Sequence, residues 1–497
     1  MDTRAAKSAA RRQYLATVIG NLSALCIGMM LGWTSPVQPL LMSETPPVGD
    51  TPLTQTQISW VGSMNFIGGA TGTLFWGKIS DALGRKMAGC LIAFPFTLGW
   101  ILMLIGKDFV WIVVARFVIG VGCSGAVINT PLYVAEVSED KRRGALGSCF
   151  MMFLNLGVVI SYIIGSITTY HTFTSICLAI PIIYLSLFFW LPESPVSAFV
   201  RGKKTVAETS LLWYRGDDSV TMAKEISRLQ ARADSIKNNR VSFLSLFSSR
   251  GTIKALIIGI GFSFGQQFCG ILAILTYTVM LFKEAGTELS PFTCAIIVGL
   301  LQLCSSFVSS QLVDKAGRKV LLITSYTVMS LSLLVLGLYF DVKAFERYDL
   351  TEWNTIPIWA MSIHVIFYSI GAGPVPFVVI SETFRPEIRG IAVAIVMFFS
   401  TTLSFASVRL FPIIVTLVGL HGCFWSYAGS CLLLTLFTVL LVPETKGRSL
   451  QEILKQLEGG KPENRDAEGA DAELCAVNKV RIVKSNTDNK TNSNIVR

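Results

Sequence analysis

The stretch GKISDALGRK at residues 77–86 returns as DKAGRK at residues 314–319. Each copy follows an apolar run and keeps the same order: Asp81, Gly84, Arg85, Lys86 in the first, Asp314, Gly317, Arg318, Lys319 in the second. Two further pairs follow in register. Glu136 stands seven residues before Arg143-Gly144 and Glu382 seven before Arg389-Gly390, and Pro192-Glu193-Ser194 is matched by Pro443-Glu444-Thr445. Short turns in any membrane protein favour Gly and basic residues, but three pairs in one order mean a duplicated unit.

The apolar runs between these marks give the unit its content. The chain has 497 residues, 52% hydrophobic and 15% charged, with a mean hydropathy of +0.57. Soluble domains carry about a quarter charged residues, so a soluble globular protein is excluded. Twelve apolar stretches lie at 14–40, 57–77, 87–106, 110–136, 145–169, 173–191, 253–282, 291–313, 320–340, 356–382, 390–417 and 421–442. Each is near the ~20 residues a helix needs to cross bilayer hydrocarbon. Backbone groups in lipid must be satisfied within the segment, and alternating ten-residue strands are not seen. The expected fold is an all-α membrane protein of twelve transmembrane helices in two pseudo-symmetric six-helix bundles. Its parts are an N-terminus 1–13, a first bundle 14–191, a polar linker 192–252 with short amphipathic helices, a second bundle 253–442, and a tail 443–497 read as largely disordered.

Lys and Arg number 42 against 32 Asp and Glu, a net charge of +10. In a soluble chain this would suggest nucleic acid as a partner; here the positions of the charges say otherwise. One set of span ends holds Lys78, Arg85, Lys86, Lys141, Arg142, Arg143, the 192–252 stretch, Lys315, Arg318, Lys319, Arg385 and Arg389, whereas the other holds Lys107, Lys283, Lys343 and Arg347. The positive-inside rule therefore places both termini and the linker in the cytoplasm and makes the lipid bilayer, not nucleic acid, the partner. Ten of the eleven cysteines fall in apolar stretches without disulfide or zinc spacing, and His171, His364 and His421 are scattered. No metal, cofactor or enzyme chemistry is expected. The run Gly120-Val-Gly122-Cys-Ser-Gly125 satisfies G-x-G-x-x-G but lies within a span with no preceding strand, so close helix packing explains it.

Duplicated bundles are a carrier architecture, with the substrate site near the midplane between the repeats. Gln266 and Gln267 are adjacent amides in an otherwise apolar span, able to donate to and accept from the hydroxyls of a neutral solute, or to tie helices together. Gly371, Gly373, Pro374 and Pro376 must interrupt regular helix, because the prolines lack donors and the glycines add freedom. Glu136 and Glu382, at span ends in low dielectric, each require an arginine.

In combination these motifs resemble the sugar porter family of the major facilitator superfamily over about residues 15–450. The matching segments are Asp81 to Lys86, Arg116 through Pro131-x-Tyr133-x-x-Glu136 to Arg143-Gly144, Pro192 to Pro195, Gln266-Gln267-x-x-Gly270, Gly373-Pro374-x-Pro376, Glu382 to Arg389, and Pro443-Glu444-Thr445-x-Gly447-Arg448. Gly32-Trp33-Thr34-Ser35-Pro36 is most similar to insect facilitated trehalose and hexose transporters. The resemblance implies sugar contacts at Gln266, Gln267, Tyr277, Gln302, Phe377 and Ser400. It also implies a cytoplasmic ion-pair gate of Asp81, Arg85, Arg116, Glu136, Arg143, Asp314, Arg318, Glu382 and Arg389. Three expected sugar contacts are replaced by Met151, Leu272 and Thr401, and the first-span aspartate of proton-driven relatives is replaced by Thr34. The expected function is passive uniport of a neutral sugar, trehalose or a hexose, by a monomer in the plasma membrane; a non-transporting sugar sensor and a carrier of a polyol or other small organic solute are the alternatives.

Overall fold

Helices make up the regular structure of the described residues, as lipid demands of a spanning chain. A computed structural model describes residues 3–216, 225–227, 229–230, 249–346, 348 and 351–458. The first bundle consists of α1 (Thr3–Leu41), α2 (Gln55–Leu83), α3 (Arg85–Ile105), α4 (Phe109–Val137), α5 (Asp140–Ile167) and α6 (Tyr170–Phe188). Two short helices follow, α7 (Pro195–Val200) and α8 (Lys204–Arg215). The second bundle holds α9 (Arg250–Phe268), α10 (Ile271–Ala285), α11 (Pro291–Ala316), α12 (Arg318–Ala344), α13 (Ile356–Phe367), α14 (Val375–Thr383) and α15 (Pro386–Leu441).

Among the described residues ten helical stretches are long and apolar enough to cross a membrane. Helices α9 and α10 form one of these, broken at Gly270, and α13 and α14 another, joined by a π turn. The 56-residue α15 turns at Gly419, where φ is +74°, and so supplies two spans. Adding α2, which is less apolar, gives an arrangement consistent with twelve. The composition of α2 follows from its packing. A Cβ on Gly68 would lie 2.0 Å from the Phe117 carbonyl oxygen, and one on Gly120 would lie 2.0 Å from that of Asn65, so the backbones of α2 and α4 touch. The G-x-G-x-x-G stretch is therefore a packing surface: Gly122 faces Phe96 and Gly125 faces Ile92 and Trp76.

Gly84 and Gly317 explain why the Gly-Arg-Lys motif recurs in both halves. Each ends one helix and begins the next at φ +95° and +92°, a region that side-chain-bearing residues avoid. Beneath them, at the end of the molecule rich in Lys and Arg (the basic face), α8 packs on the first bundle. Gln13 donates to the Tyr214 carbonyl at 2.9 Å, the Tyr133 and Tyr214 hydroxyls are 2.6 Å apart, and Arg215 donates to the carbonyls of Val137 and Ser138. Burial pushes the Tyr214 phenol up, keeping it a protonated donor.

Helix α1 begins at Thr3, ahead of the apolar stretch 14–40, and Arg12 and Gln13 in its third turn dock on α8. The segment after Pro443 is not featureless: α16 (Leu450–Glu458) buries Ile453, Leu454 and Leu457. Ser449 and Glu452 cap it reciprocally, Glu452 N–H on the Ser449 hydroxyl at 3.3 Å and Ser449 N–H on the Glu452 carboxylate at 2.8 Å. The remainder of the tail and residues 217–224, 228 and 231–248 of the linker lie outside the described residues.

The two bundles meet toward the face opposite the basic one. Gln38 reaches Met280, the Ser35 hydroxyl accepts from the Val279 N–H, Tyr162 bonds the Leu275 carbonyl, and Arg409 donates to Ser59 at 2.9 Å while lying 5.0 Å over the Trp60 ring. At mid-depth Asn155 donates to the Ser306 hydroxyl. The ion pairs at the basic face that involve Arg85, Arg201 and Arg318 each close within one bundle.

Candidate functional site

At mid-depth the two glutamines of α9 reach different elements. Gln266 donates its amide N–H to the Gly373 carbonyl at 2.9 Å, a group that the interruption between α13 and α14 leaves available. Gln267 donates to the Ser400 hydroxyl at 2.9 Å, and its own backbone carbonyl receives the Ser407 hydroxyl at 2.7 Å. Gln302 is 4% exposed, and its side-chain oxygen has no partner among the described residues. Phe377, Met151 and Leu272 are half-buried, and the Thr401 hydroxyl is spent on the Met397 carbonyl within its own helix. Asn155 was not anticipated from sequence, although a lone amide inside an apolar run was a signal to weigh.

Tyr277 stands apart from this group. Its hydroxyl donates to the Val408 carbonyl at 3.3 Å and its ring stacks on Phe411 at 4.8 Å, toward the face where the bundles meet. There it lines a cavity of about 240 Å³ with Gln38, Gln55, Glu284 and Phe411. It is placed at the closed end rather than beside Gln267 and Ser400.

The predicted interruption of the tenth span is present. Residues Tyr368–Ala372 form a π turn, and the Gly373 N–H bonds the Tyr368 carbonyl five residues back at 2.8 Å. Pro374 and Pro376 then supply no donors. Gly371 lets this turn touch α12, since a Cβ there would lie 2.2 Å from the Ser325 hydroxyl oxygen.

At the basic face the three repeated motifs converge on each bundle. Arg85 pairs with Asp81 at 2.7 Å and with Glu136 at 3.2 Å; the second oxygen of Glu136 accepts from Ser194. Glu193 accepts from the Lys86 N–H at 3.0 Å, completing the start of α3, and pairs with Arg201 at 2.8 Å. In the other bundle Arg318 pairs with Glu382 at 3.0 Å, and Glu444 accepts from the N–H groups of Arg318 and Lys319, both at 3.1 Å. A carboxylate at a helix start satisfies orphan donors and suits the helix dipole. The side chain of Asp314 lies outside the described residues.

Three expected network members sit elsewhere. Arg143 pairs with Asp140 at 2.9 Å and donates to the Ala135 carbonyl, and Arg389 donates to the Phe384 carbonyl at 3.2 Å, so these two arginines bond groups other than Glu136 and Glu382. Arg116 is in the opposite half of the molecule altogether, in the second turn of α4. It is 1% exposed and donates to the carbonyls of Val61 (2.9 Å) and Met30 (2.8 Å), the Thr34 hydroxyl (2.9 Å) and the Asn65 amide oxygen (3.1 Å). The partners given to its guanidinium are all neutral, and one of them is Thr34.

The sequence pattern described as "Sugar (and other) transporter" matches residues 47–457. The chain belongs to this family. It is thus a multi-pass membrane transporter of the major facilitator type, not an enzyme. Facilitated trehalose transporter Tret1 of Bombyx mori is 32% identical over 465 residues, covering 93% of this chain and 90% of that protein. Tret1 of Drosophila yakuba is 30% identical over 447 residues, 90% of this chain but 52% of the relative. The chain spans about half the length of that relative and of several others from Drosophila and Aedes. Among solved structures, the inward-open xylose transporter XylE from E. coli superposes with a TM-score of 0.73 at 21% identity, covering 89% of this chain and 99% of that one. The proton:xylose symporter XylE bound to 6-bromo-6-deoxy-D-glucose gives 0.71 at 23% identity, covering 90% and 100%. These likenesses establish the fold.

Proposed function

We propose that this transporter is a passive uniporter of a neutral sugar, trehalose or a hexose. It works by alternating access, with its basic face in the cytoplasm of a plasma-membrane-resident monomer. The observation that carries the reading is the set of amides at mid-depth. Gln266 is tied to the interrupted span, Gln267 to Ser400, and the buried oxygen of Gln302 awaits a donor. Amides both give and accept hydrogen bonds, which suits a substrate made of hydroxyls. Phe377 offers a ring face for stacking. Passive transport is supported by Arg116: where proton-driven relatives set an acid, its guanidinium meets Thr34 and other neutral oxygens. Intramembrane carboxylates are the usual proton relays. Bundles joined toward the face opposite the basic one support an inward-facing arrangement. On this reading the ion pairs of Arg85, Glu136, Arg318 and Glu382 belong to the cytoplasmic gate, and Gly371 to Pro376 to its hinge. Apolar Met151 and Leu272 favour one second reading, a carrier of a polyol or other small organic solute.

Uptake of radiolabelled trehalose, glucose and a polyol, tested separately in oocytes, discriminates these substrates. Gln267→Leu is expected to lower sugar uptake about ten-fold at unchanged surface expression, because a buried Ser400 hydroxyl and the sugar both lose an amide partner. Equal flux in wild type and variant would remove Gln267 from the site. Accumulation above the external concentration, or stimulation by acid, would contradict passive transport.

A further inference from the structure

Helix α10 bends within its second turn, and the bend is completed by the other bundle. Tyr277 leaves helical geometry, with φ −112° and ψ 15°. In a regular helix the hydrogen bond spanning this residue would run from the Val279 N–H to the Leu275 carbonyl, four residues back. Here both groups have partners from the first bundle, and the Leu275 carbonyl also takes a longer contact from the Thr278 hydroxyl of its own helix, at 3.4 Å. The Val279 N–H donates to the Ser35 hydroxyl of α1 at 3.0 Å, and the Leu275 carbonyl accepts from the Tyr162 hydroxyl of α5 at 2.9 Å. All four residues are buried: Ser35 and Tyr162 at 1% exposure, Val279 at 2% and Leu275 at 7%. Buried backbone groups left without partners carry a desolvation penalty. When the bundles part at this face both groups lose these partners, and the bond that the chain itself can make in their place is the one between Val279 and Leu275, which straightens α10 at Tyr277.

We infer that Ser35 and Tyr162 are gate-positioning residues, trading hydrogen bonds with the backbone of α10 so that bending of this helix and closure of the face opposite the basic one occur together. The first bundle supplies a hydroxyl for the N–H and another for the carbonyl that a regular helix would pair with each other across Tyr277. At this contact closure is favoured by neutral groups, beside the separate tie that Arg409 makes to Ser59 and Trp60. The same contact touches the rest of the site. Ser35 follows Thr34, which Arg116 holds, and Tyr277 itself is anchored on the Val408 carbonyl.

The inference rests on the alternating-access reading, and its test needs no sugar. Gln38→Cys places a thiol at a position 3% exposed on the closed face. Its labelling by a membrane-impermeant maleimide is counted against the same protein without that substitution. Ser35→Ala and Tyr162→Phe should each raise the labelling rate about five-fold, the ratio carried by one ordinary hydrogen bond. Ser161→Ala is the control: it deletes an equally buried hydroxyl that bonds the Met29 carbonyl inside the first bundle, at 3.0 Å, and should leave the rate unchanged. Arg409→Leu cuts the separate tie to Ser59 and Trp60 and should also raise it. Faster labelling with Arg409→Leu but not with Ser35→Ala or Tyr162→Phe would overturn the latch and leave alternating access standing. An effect of Ser161→Ala equal to theirs would overturn it as general loosening. No response to any of the four would count against alternation itself. Each latch variant removes a single oxygen, so if one fails to elute as a monodisperse species the other decides the matter.

Discussion

Arg116→Leu is expected to prevent accumulation of a folded carrier rather than merely slow it. The guanidinium joins α4 to α1 and α2 through four hydrogen bonds and also faces the Trp33 ring at 5.7 Å. Burying a charge costs several kcal/mol unless polar groups compensate, and replacing buried ionic groups by apolar ones is sometimes stabilising. That gain is not available here, because the partners remain. Asn65 and Thr34, at 2% exposure each, would keep their oxygens without the donor they face. Unsatisfied groups cost about 1–3 kcal/mol each, and the deleted side-chain volume adds a cavity. Arg116→Lys should recover little, since one ammonium cannot reach oxygens spread around a planar fork. Monodispersity after extraction and the melting temperature read the outcome. A leucine variant that melts like wild type would show that the cluster is incidental.

The readings that succeeded from sequence alone concern groups whose energetics leave one choice. A carboxylate in low dielectric must find a cation, and Arg85 and Arg318, fixed by their repeated Gly-Arg-Lys turns, are the cations within reach of Glu136 and Glu382. The interruption at Gly371 to Pro376 was legible for the same reason: proline has no donor in any context. Arg116 was misplaced by treating a motif as a location. At 1.5 Å per residue, a site in the second turn of α4 is about 30 Å from the Glu136 end. Helix α16 was missed although Ser449-x-x-Glu452 before Ile453 is a readable start signal. Ser35 and Tyr162 were not legible at all. Their partners are backbone groups more than a hundred residues away, and a backbone N–H has no letter in the sequence.

Glu136→Gln and Glu382→Gln, equivalent positions of the two repeats, are expected to act differently. Glu136 is held on both oxygens, by Arg85 and by Ser194. Neutralising it leaves Arg85 with Asp81, whose side chain is 77% exposed, so the cost approaches the ~3–5 kcal/mol of breaking a buried pair. In the second bundle the corresponding hydroxyl is that of Thr445. Among the described residues neither its oxygen nor the second oxygen of Glu382 has a partner, though both are buried. The Glu382 side chain is 30% exposed and its pairing with Arg318 is correspondingly screened. Unsatisfied groups of complementary chemistry, whose repeat-mates are bonded, point to a second arrangement that engages them. On the alternating-access reading proposed above, that arrangement belongs to the outward-facing state, in which the gate at the basic face closes. Glu136→Gln should therefore lower the melting temperature by several times the shift of Glu382→Gln. Glu382→Gln should instead slow maleimide labelling of Gln38→Cys, because the state it destabilises is the one that exposes that position. This sign is opposite to that of Ser35→Ala, so in the combined variant the two should partly cancel. Equal losses of stability with unchanged labelling would reduce both glutamates to fixed anchors of helix ends.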